Sequence, residues 1–331
     1  MRRVLVVIFL ILAGVPTWSG RERLPLFGAR PVLRAERVAL YPDSPARRDL
    51  GALEYLGGLR LRGNDPAFGG FSAMTVAGDR FTLLADGSTF IRFRMGSDLR
   101  PQSARFGVLS QGPGTGWPKE SRDSEAMARD PATGTAWVAF ERTNQIWRYE
   151  GQLARATGQV VPALMRPWST NGGPESMARL RDGRFIVIAE NTRWPEDRAR
   201  GPGIERAAIL FDGDPVAPGT RADRWRYRPP AGFSPTDATE LPDGRIAILN
   251  RRVGAPDFFT AVLTVIDGSA LRPGATLTGR IIARFEPPVR HDNLEAIAAT
   301  REGDATILWI ASDDNQSWLQ QTLLLKFRLV D

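Results

Sequence analysis

Carboxylates recur in this chain in two series whose spacing suits acid–base or metal chemistry. The first sits in a short phrase that returns five times, as Phe71-Ser72-Ala73-Met74, Ser124-Glu125-Ala126-Met127-Ala128, Pro174-Glu175-Ser176-Met177-Ala178, Thr236-Asp237-Ala238-Thr239-Glu240-Leu241 and Leu294-Glu295-Ala296-Ile297-Ala298. Four of the five carry an acid: Glu125, Glu175, Asp237 and Glu295. The second series, Asp86, Glu141, Glu190, Asn250 and Asp313, closes the apolar segment that follows each phrase. Carboxylates gathered at one place cannot all stay ionised without cost; they share protons, pair with arginine or bind a cation. Oxygen donors without nitrogen or sulfur suit a hard ion, calcium before magnesium. Glu125, Glu175, Asp237 and Glu295 are therefore the candidate metal ligands. The alternative for any one of them is a structural acid that accepts backbone N–H bonds within its own repeat.

Arginine follows acids or amides of the second series at Arg142, Arg251 and Arg252. A guanidinium presents a fork matched to two phosphate oxygens, so these three are candidate substrate-binding residues. They equally suit a role in balancing the acids beside them. If a cation and an arginine flank a phosphorus centre, a free carboxylate such as Glu125 or Glu295 can activate water.

Each phrase is followed by a turn signal, for example Asp182-Gly183 and Asp243-Gly244, and then by an apolar segment: 81–86, 135–141, 184–190, 245–250 and 306–313. Strand, tight turn, strand is the pattern of a hairpin. Short strands repeating every roughly 50–60 residues indicate an all-β chain, a β-propeller with one blade per phrase. Five blades are the economical count, with six as the alternative in view of the longer spacing between Glu175 and Asp237. The Arg-, Pro- and Gly-rich stretch 191–205 reads as an excursion from a blade. Inner strands of a propeller line its channel, so the repeated acids are expected to converge on the axis. Closing the ring requires an outer strand for the last blade, and pairing of 53–61 with 323–330 supplies one.

Residues 1–20 read as an export signal: Met1-Arg2-Arg3, then an apolar run over 4–15, then Pro16-Thr17-Trp18-Ser19-Gly20. Residues 21–50 form a lead-in, and 51–331 a single propeller domain. The chain has no cysteine, which excludes disulfides and suits the periplasm or the exterior. Its formal charge of +7 comes almost wholly from arginine spread along the sequence, with Lys119 and Lys326 as the lysines. That distribution gives little support to a nucleic-acid groove and reads first as a coding bias with a solvated surface; a functional excess would favour small anionic substrates such as phosphate esters, or the membrane surface. A single histidine, His291, rules out sites that need two, and together with the missing cysteines removes the usual zinc sets. Gly70-Phe71-Ser72-Ala73 lacks the second glycine of a nucleophile elbow. Asn171-Gly172-Gly173-Pro174 lacks the Gly-Lys-Ser/Thr run of a phosphate loop, and no nucleotide cofactor is expected.

A set of motifs carries a family resemblance: Phe68-Gly69-Gly70-Phe71-Ser72, Asp123-Ser124-Glu125-Ala126, Phe140-Glu141-Arg142, Pro174-Glu175-Ser176-Met177, Leu241-Pro242-Asp243-Gly244-Arg245, Asp292-Asn293-Leu294-Glu295-Ala296-Ile297-Ala298 and Ala311-Ser312-Asp313-Asp314-Asn315. In this order they resemble the phytase-like family, described as having esterase-like activity of phytase, over nearly all of the chain after about residue 50. The resemblance implies an exported hydrolase of phosphate or related esters. The other functional class is a non-catalytic binding or scaffold propeller with a structural calcium. This chain departs from the family pattern where Ala126, Ser176 and Ala296 replace a glycine after the acid, where Asn250-Arg251 stands for Glu-Arg, and at Asp86-Gly87-Ser88.

Overall fold

A computed structural model describes residues 27–28, 30–114, 122–199 and 203–330; the expected export signal lies outside them. Five antiparallel sheets form five blades. Blade 1 is built from Phe71–Ala77, Arg80–Ala85, Thr89–Met95 and Pro101–Val108, and blade 2 from Ser124–Arg129, Ala136–Phe140, Gln145–Glu150 and Arg155–Val160. Blade 3 comprises Pro174–Arg179, Phe185–Ala189, Arg206–Phe211 and Ala222–Arg228, with Thr276–Thr278 added in parallel at its outer edge. Blade 4 comprises Ser234–Glu240, Ile246–Gly254, Phe258–Ile266 and Arg280–Phe285.

Blade 5 is assembled from both ends of the chain. Asn293–Glu302, Ala305–Asp313 and Thr322–Leu329 are followed by Leu53–Gly63, which pairs antiparallel with Thr322–Leu329 in a register that sets Thr322 against Leu61 and Leu325 against Gly58. The expected closure is thus present. Leu33–Val38, inside the stretch read from sequence as a lead-in, adds one more strand outside Leu53–Gly63.

Second strands such as Phe185–Ala189 are buried on both faces, as strands sandwiched between neighbouring blades must be. Five apolar clusters hold the ring, each filling the gap between two adjacent blades. Leu83 and Trp309 belong to the cluster between blades 5 and 1, and Val138 and Leu84 to the one between 1 and 2. Val187 with Trp137, Ile248 with Trp225, and Leu249 with Leu308 mark the remaining three. Every gap is filled, so no sixth blade is inserted. The excursion at 191–205 carries a short helix, Pro195–Ala199, and is pinned to blade 3 by Trp194, which is fully buried and donates its Nε1–H to the Trp225 carbonyl at 2.9 Å.

Candidate metal centre

Each inner strand carries a β-bulge near its start, where the register shifts between Phe71 and Ala73, Ser124 and Ala126, Pro174 and Ser176, Pro235 and Asp237, and Leu294 and Ala296. The extra residue is Ser72, Glu125, Glu175, Thr236 or Glu295. A bulge re-aims its side chain, and here it turns the three glutamates toward the channel. In the other two blades the hydroxyl bridges to the next blade: Ser72 donates to the Ser124 carbonyl at 2.6 Å, and Thr236 to that of Leu294 at 3.3 Å.

The structure brings Glu125, Glu175 and Glu295 together but not Asp237. Asp237 occupies the position after the bulge, equivalent to Ala126, Ser176 and Ala296, and is directed into the blade interface. Its Oδ1 accepts from Ala238 N and its Oδ2 from Ile297 N of blade 5, both at 2.8 Å. Burial pushes its pKa well up, with those two N–H groups opposing and no other carboxylate acting on it. The sequence carries the signal for this offset. Glu175 stands seven positions before Asp182, and Thr236 seven before Asp243, whereas Asp237 stands six. The side chains of Ala126, Ser176 and Ala296 that replace glycine are likewise fully buried.

In an antiparallel pair the end of the second strand lies beside the start of the first, which brings the second acid series to the same mouth. Backbone bonds clamp it there: Asp86 N to Gly70 O at 2.8 Å, Glu141 N to Asp123 O at 2.8 Å and Glu190 N to Gly173 O at 2.9 Å. Asn250 is the exception. It is fully buried, and its amide bonds Tyr227 and Thr264 inside blade 4. Asp313 is buried and accepts from Asn315 N at 2.6 Å.

Carboxylate oxygens of Asp123, Glu125 and Glu141 lie within 4.8 Å of one another, and so do those of Glu141, Glu175 and Glu190. The two triads share Glu141, whose Oε1 also accepts from the backbone N–H groups of Gly172 and Gly173. Glycine at 173 gives this approach room: a Cβ there would meet Asn144 Oδ1 at 2.8 Å and Glu141 Cγ at 3.0 Å, and one or both would have to shift. Asp123 was not among the acids singled out from sequence, because it lies outside both repeating series.

Two acids of the cluster keep their oxygens open. Neither Glu125 nor Glu175 accepts a hydrogen bond among the described residues, although Glu175 is only 8 % exposed. Burial, then Glu175, Asp123, Asp86 and Glu295, push the Glu125 pKa far up; burial, then Glu190, Glu295 and Glu141, do the same to Glu175. Burial followed by Glu295 and Asp86 raises Asp313. Glu295 is also raised by burial but is held down in part by Arg251 and Asn293.

Arg251 is the internal counter-ion. Its Nη1 donates to Glu295 and, at 2.8 Å, to Asn293 Oδ1, and its Nη2 to Glu190 Oε1 at 3.1 Å. Burial lowers its pKa, but Glu295, Glu175 and Glu190 outweigh that and keep it charged. Arg142 bonds Asp123 Oδ2 at 2.7 Å at the rim, and Arg252 lies 5.0 Å from the Phe233 ring. The geometry therefore spends Arg251 and Arg142 on acids and leaves Arg252 outside the cluster. His291 contacts the Val289 carbonyl.

The cluster is a hard-oxygen site with more acids than cations, and its open glutamates fit a divalent ion. A family model described as "Phytase-like: Esterase-like activity of phytase" matches residues 66–316. Curated relatives are similar over a shorter stretch. The phosphoenolpyruvate carboxykinase [GTP] of Paenarthrobacter aurescens (strain TC1) is 26 % identical over 140 residues, 42 % of this chain and 22 % of that one. Its counterpart from Arthrobacter sp. (strain FB24) is 28 % identical over 143 residues, with the same coverage. The chain thus spans about a fifth of the length of these relatives, at 22 %. Among solved structures, the major Malassezia sympodialis allergen Mala s 1 is similar over 83 % of this chain and 88 % of its own, with 12 % identity and a TM-score of 0.44.

Proposed function

The chain belongs to the phytase-like family, and on that premise we propose that it is a metal-dependent hydrolase of phosphate esters working at the acidic mouth of the channel. The observation that carries this reading is the pair of acid triads sharing Glu141, next to two glutamates with open oxygens. Glu125, Glu141, Glu175 and Asp123 would hold the ion, with calcium the best match to their oxygen-only donors. Bound there, a divalent ion would offset the negative charge that otherwise repels an anionic substrate and would polarise a phosphoryl oxygen.

Within the proposal, Glu125 takes a proton from water as the new P–O bond forms, and returns it to the ester oxygen as the old bond breaks. Burial and the neighbouring acids raise its pKa, which favours taking up that proton. Glu295, the other acid expected to activate water, is bound to Arg251 and Asn293 and so acts by positioning them. Arg142, paired with Asp123 at the rim, would have to exchange that carboxylate for a substrate phosphate to bind it. The substrate is a small phosphate ester or a related anion. Export to the periplasm or exterior rests on the basic and apolar opening of the sequence; no helix among the described residues is long and apolar enough to cross a membrane.

A second reading, a binding propeller with a structural ion, is favoured by Arg251, since the most central guanidinium is already engaged by Glu190 and Glu295. Assaying a phosphomonoester, a phosphodiester, phytate and a carboxylic ester, with calcium and with chelator, separates the two. Calcium-dependent turnover lost in Glu125→Gln supports the hydrolase. Absence of turnover on every ester, with a calcium-raised melting temperature, supports the binding propeller.

A further inference from the structure

Arginine looks evenly spread in the sequence, yet folding concentrates it on one face of blade 1. Arg80 stands directly opposite Arg94, and Arg92 opposite Arg105. Like charges in such cross-strand positions destabilise a sheet. Asp79 offsets one of them, at 2.6 Å from Arg94. Arg80 and Arg105 make no ion pair or side-chain hydrogen bond among the described residues. Arg129, on the inner strand of blade 2, faces the same cleft and is also without such a bond among the described residues.

The cleft between the two blades has a volume of about 230 Å³. Within it, Arg92 donates from Nη1 to Gln152, while its Nε–H is buried with no acceptor. Burial and then Arg105 lower the Arg92 pKa; burial and then Arg80 lower that of Arg129, with Asp130 opposing in part, as expected where positive charges crowd. The cleft shares Thr75, Met127 and Arg129 with a cavity of about 480 Å³ at the channel end opposite the acids. Acidic and arginine-rich sites therefore lie at opposite ends of the ring.

We infer that the cleft lined by Arg80, Arg92, Arg94, Arg105 and Arg129 binds a small polyanion, a molecule bearing two or more phosphate or sulfate groups. The site is independent of the acidic mouth and of any reaction there. Several guanidiniums converging on one small volume recognise clustered oxyanions, each through paired N–H donors.

The test is calorimetric titration with tripolyphosphate, with chelator present throughout so that no ion at the acidic mouth draws the anion there. Saturable binding is expected, with orthophosphate weaker, and affinity should fall about tenfold or more in Arg92→Gln. Arg105 is exposed, so Arg105→Gln tests the idea without risk to the fold. It should also weaken binding and, without ligand, melt no lower than the parent because a repulsion is removed. Glu125→Gln should bind as the parent does. Absence of saturable binding, equal affinity in the two arginine variants and the parent, or loss of binding in Glu125→Gln would each overturn the inference.

Discussion

Replacing Arg251 by methionine isolates the electrostatic logic of the acidic mouth. The side chain is 18 % exposed and bonds Glu190, Glu295 and Asn293 at once. Removing one partner of a buried pair leaves a carboxylate uncompensated and costs about 3–5 kcal/mol. With an unfolding entropy of about 2.1 cal/mol/K per residue over 331 residues, the melting temperature should fall by about 4–7 °C. The measurement is thermal unfolding followed by circular dichroism at pH 8 with chelator, beside Arg155→Met. That variant breaks the exposed pair with Glu150 and should cost about 1 kcal/mol or less, about 1 °C. Calcium should restore part of the loss in Arg251→Met, because a divalent ion then takes over the neutralising role. The gap should also narrow near pH 5, where Glu175 and Glu295, both with raised pKa values, take up protons and need no counter-ion. If Arg251→Met melts no lower than Arg155→Met at pH 8, the acids are not held ionised by Arg251 and the account of the cluster fails.

Three further outcomes follow from the same geometry. Without calcium, stability should decline as pH rises above about 4.5: Glu125, Glu175, Glu295 and Asp313 bind protons more tightly folded than unfolded, so their contribution is complete below the ordinary carboxylate pKa and lost through their raised folded values. A melting temperature that climbs from pH 5 to pH 8 in chelator would contradict this. Asp237→Asn should destabilise by about 1–3 kcal/mol, since an amide cannot accept from both Ala238 N and Ile297 N, yet leave calcium affinity by titration calorimetry unchanged. Gly173→Ala should shrink the calcium-induced rise in melting temperature, because the new methyl displaces Glu141 from both triads at once; an undiminished rise would remove Glu141 from the ion site.

The ring was legible because its signals are local. Turn pairs such as Asp182-Gly183 and the apolar segments after them fall where the hairpins form, and the observed strands Ala136–Phe140 and Phe185–Ala189 lie inside the expected 135–141 and 184–190. The site was legible in part. Counting from the carboxylate placed Asp237 with the glutamates, whereas pairing register counts from the turn and puts Thr236 there instead. Asp123 was not singled out because it lies outside both repeating series, and the arginine cleft was not legible because it depends on side chains from different blades meeting across a gap. Periodicity within one strand says which face a residue takes, not which residue of the neighbouring blade it meets.

Blade 5 also sets a timetable for synthesis. Leu53–Gly63 is made early, and its partner Thr322–Leu329 follows about 270 residues later. At a ribosomal rate of roughly 5–20 residues per second the first segment waits about 15–50 s with one edge unmatched. Leu33–Val38, made just before it, can occupy the other edge at once, and Arg60 and Arg62 discourage foreign strands from the waiting segment. A nascent chain that stalls before residue 322 would hold four blades and an open seam, a form prone to pair with a neighbouring copy through the strand that completion would have hidden.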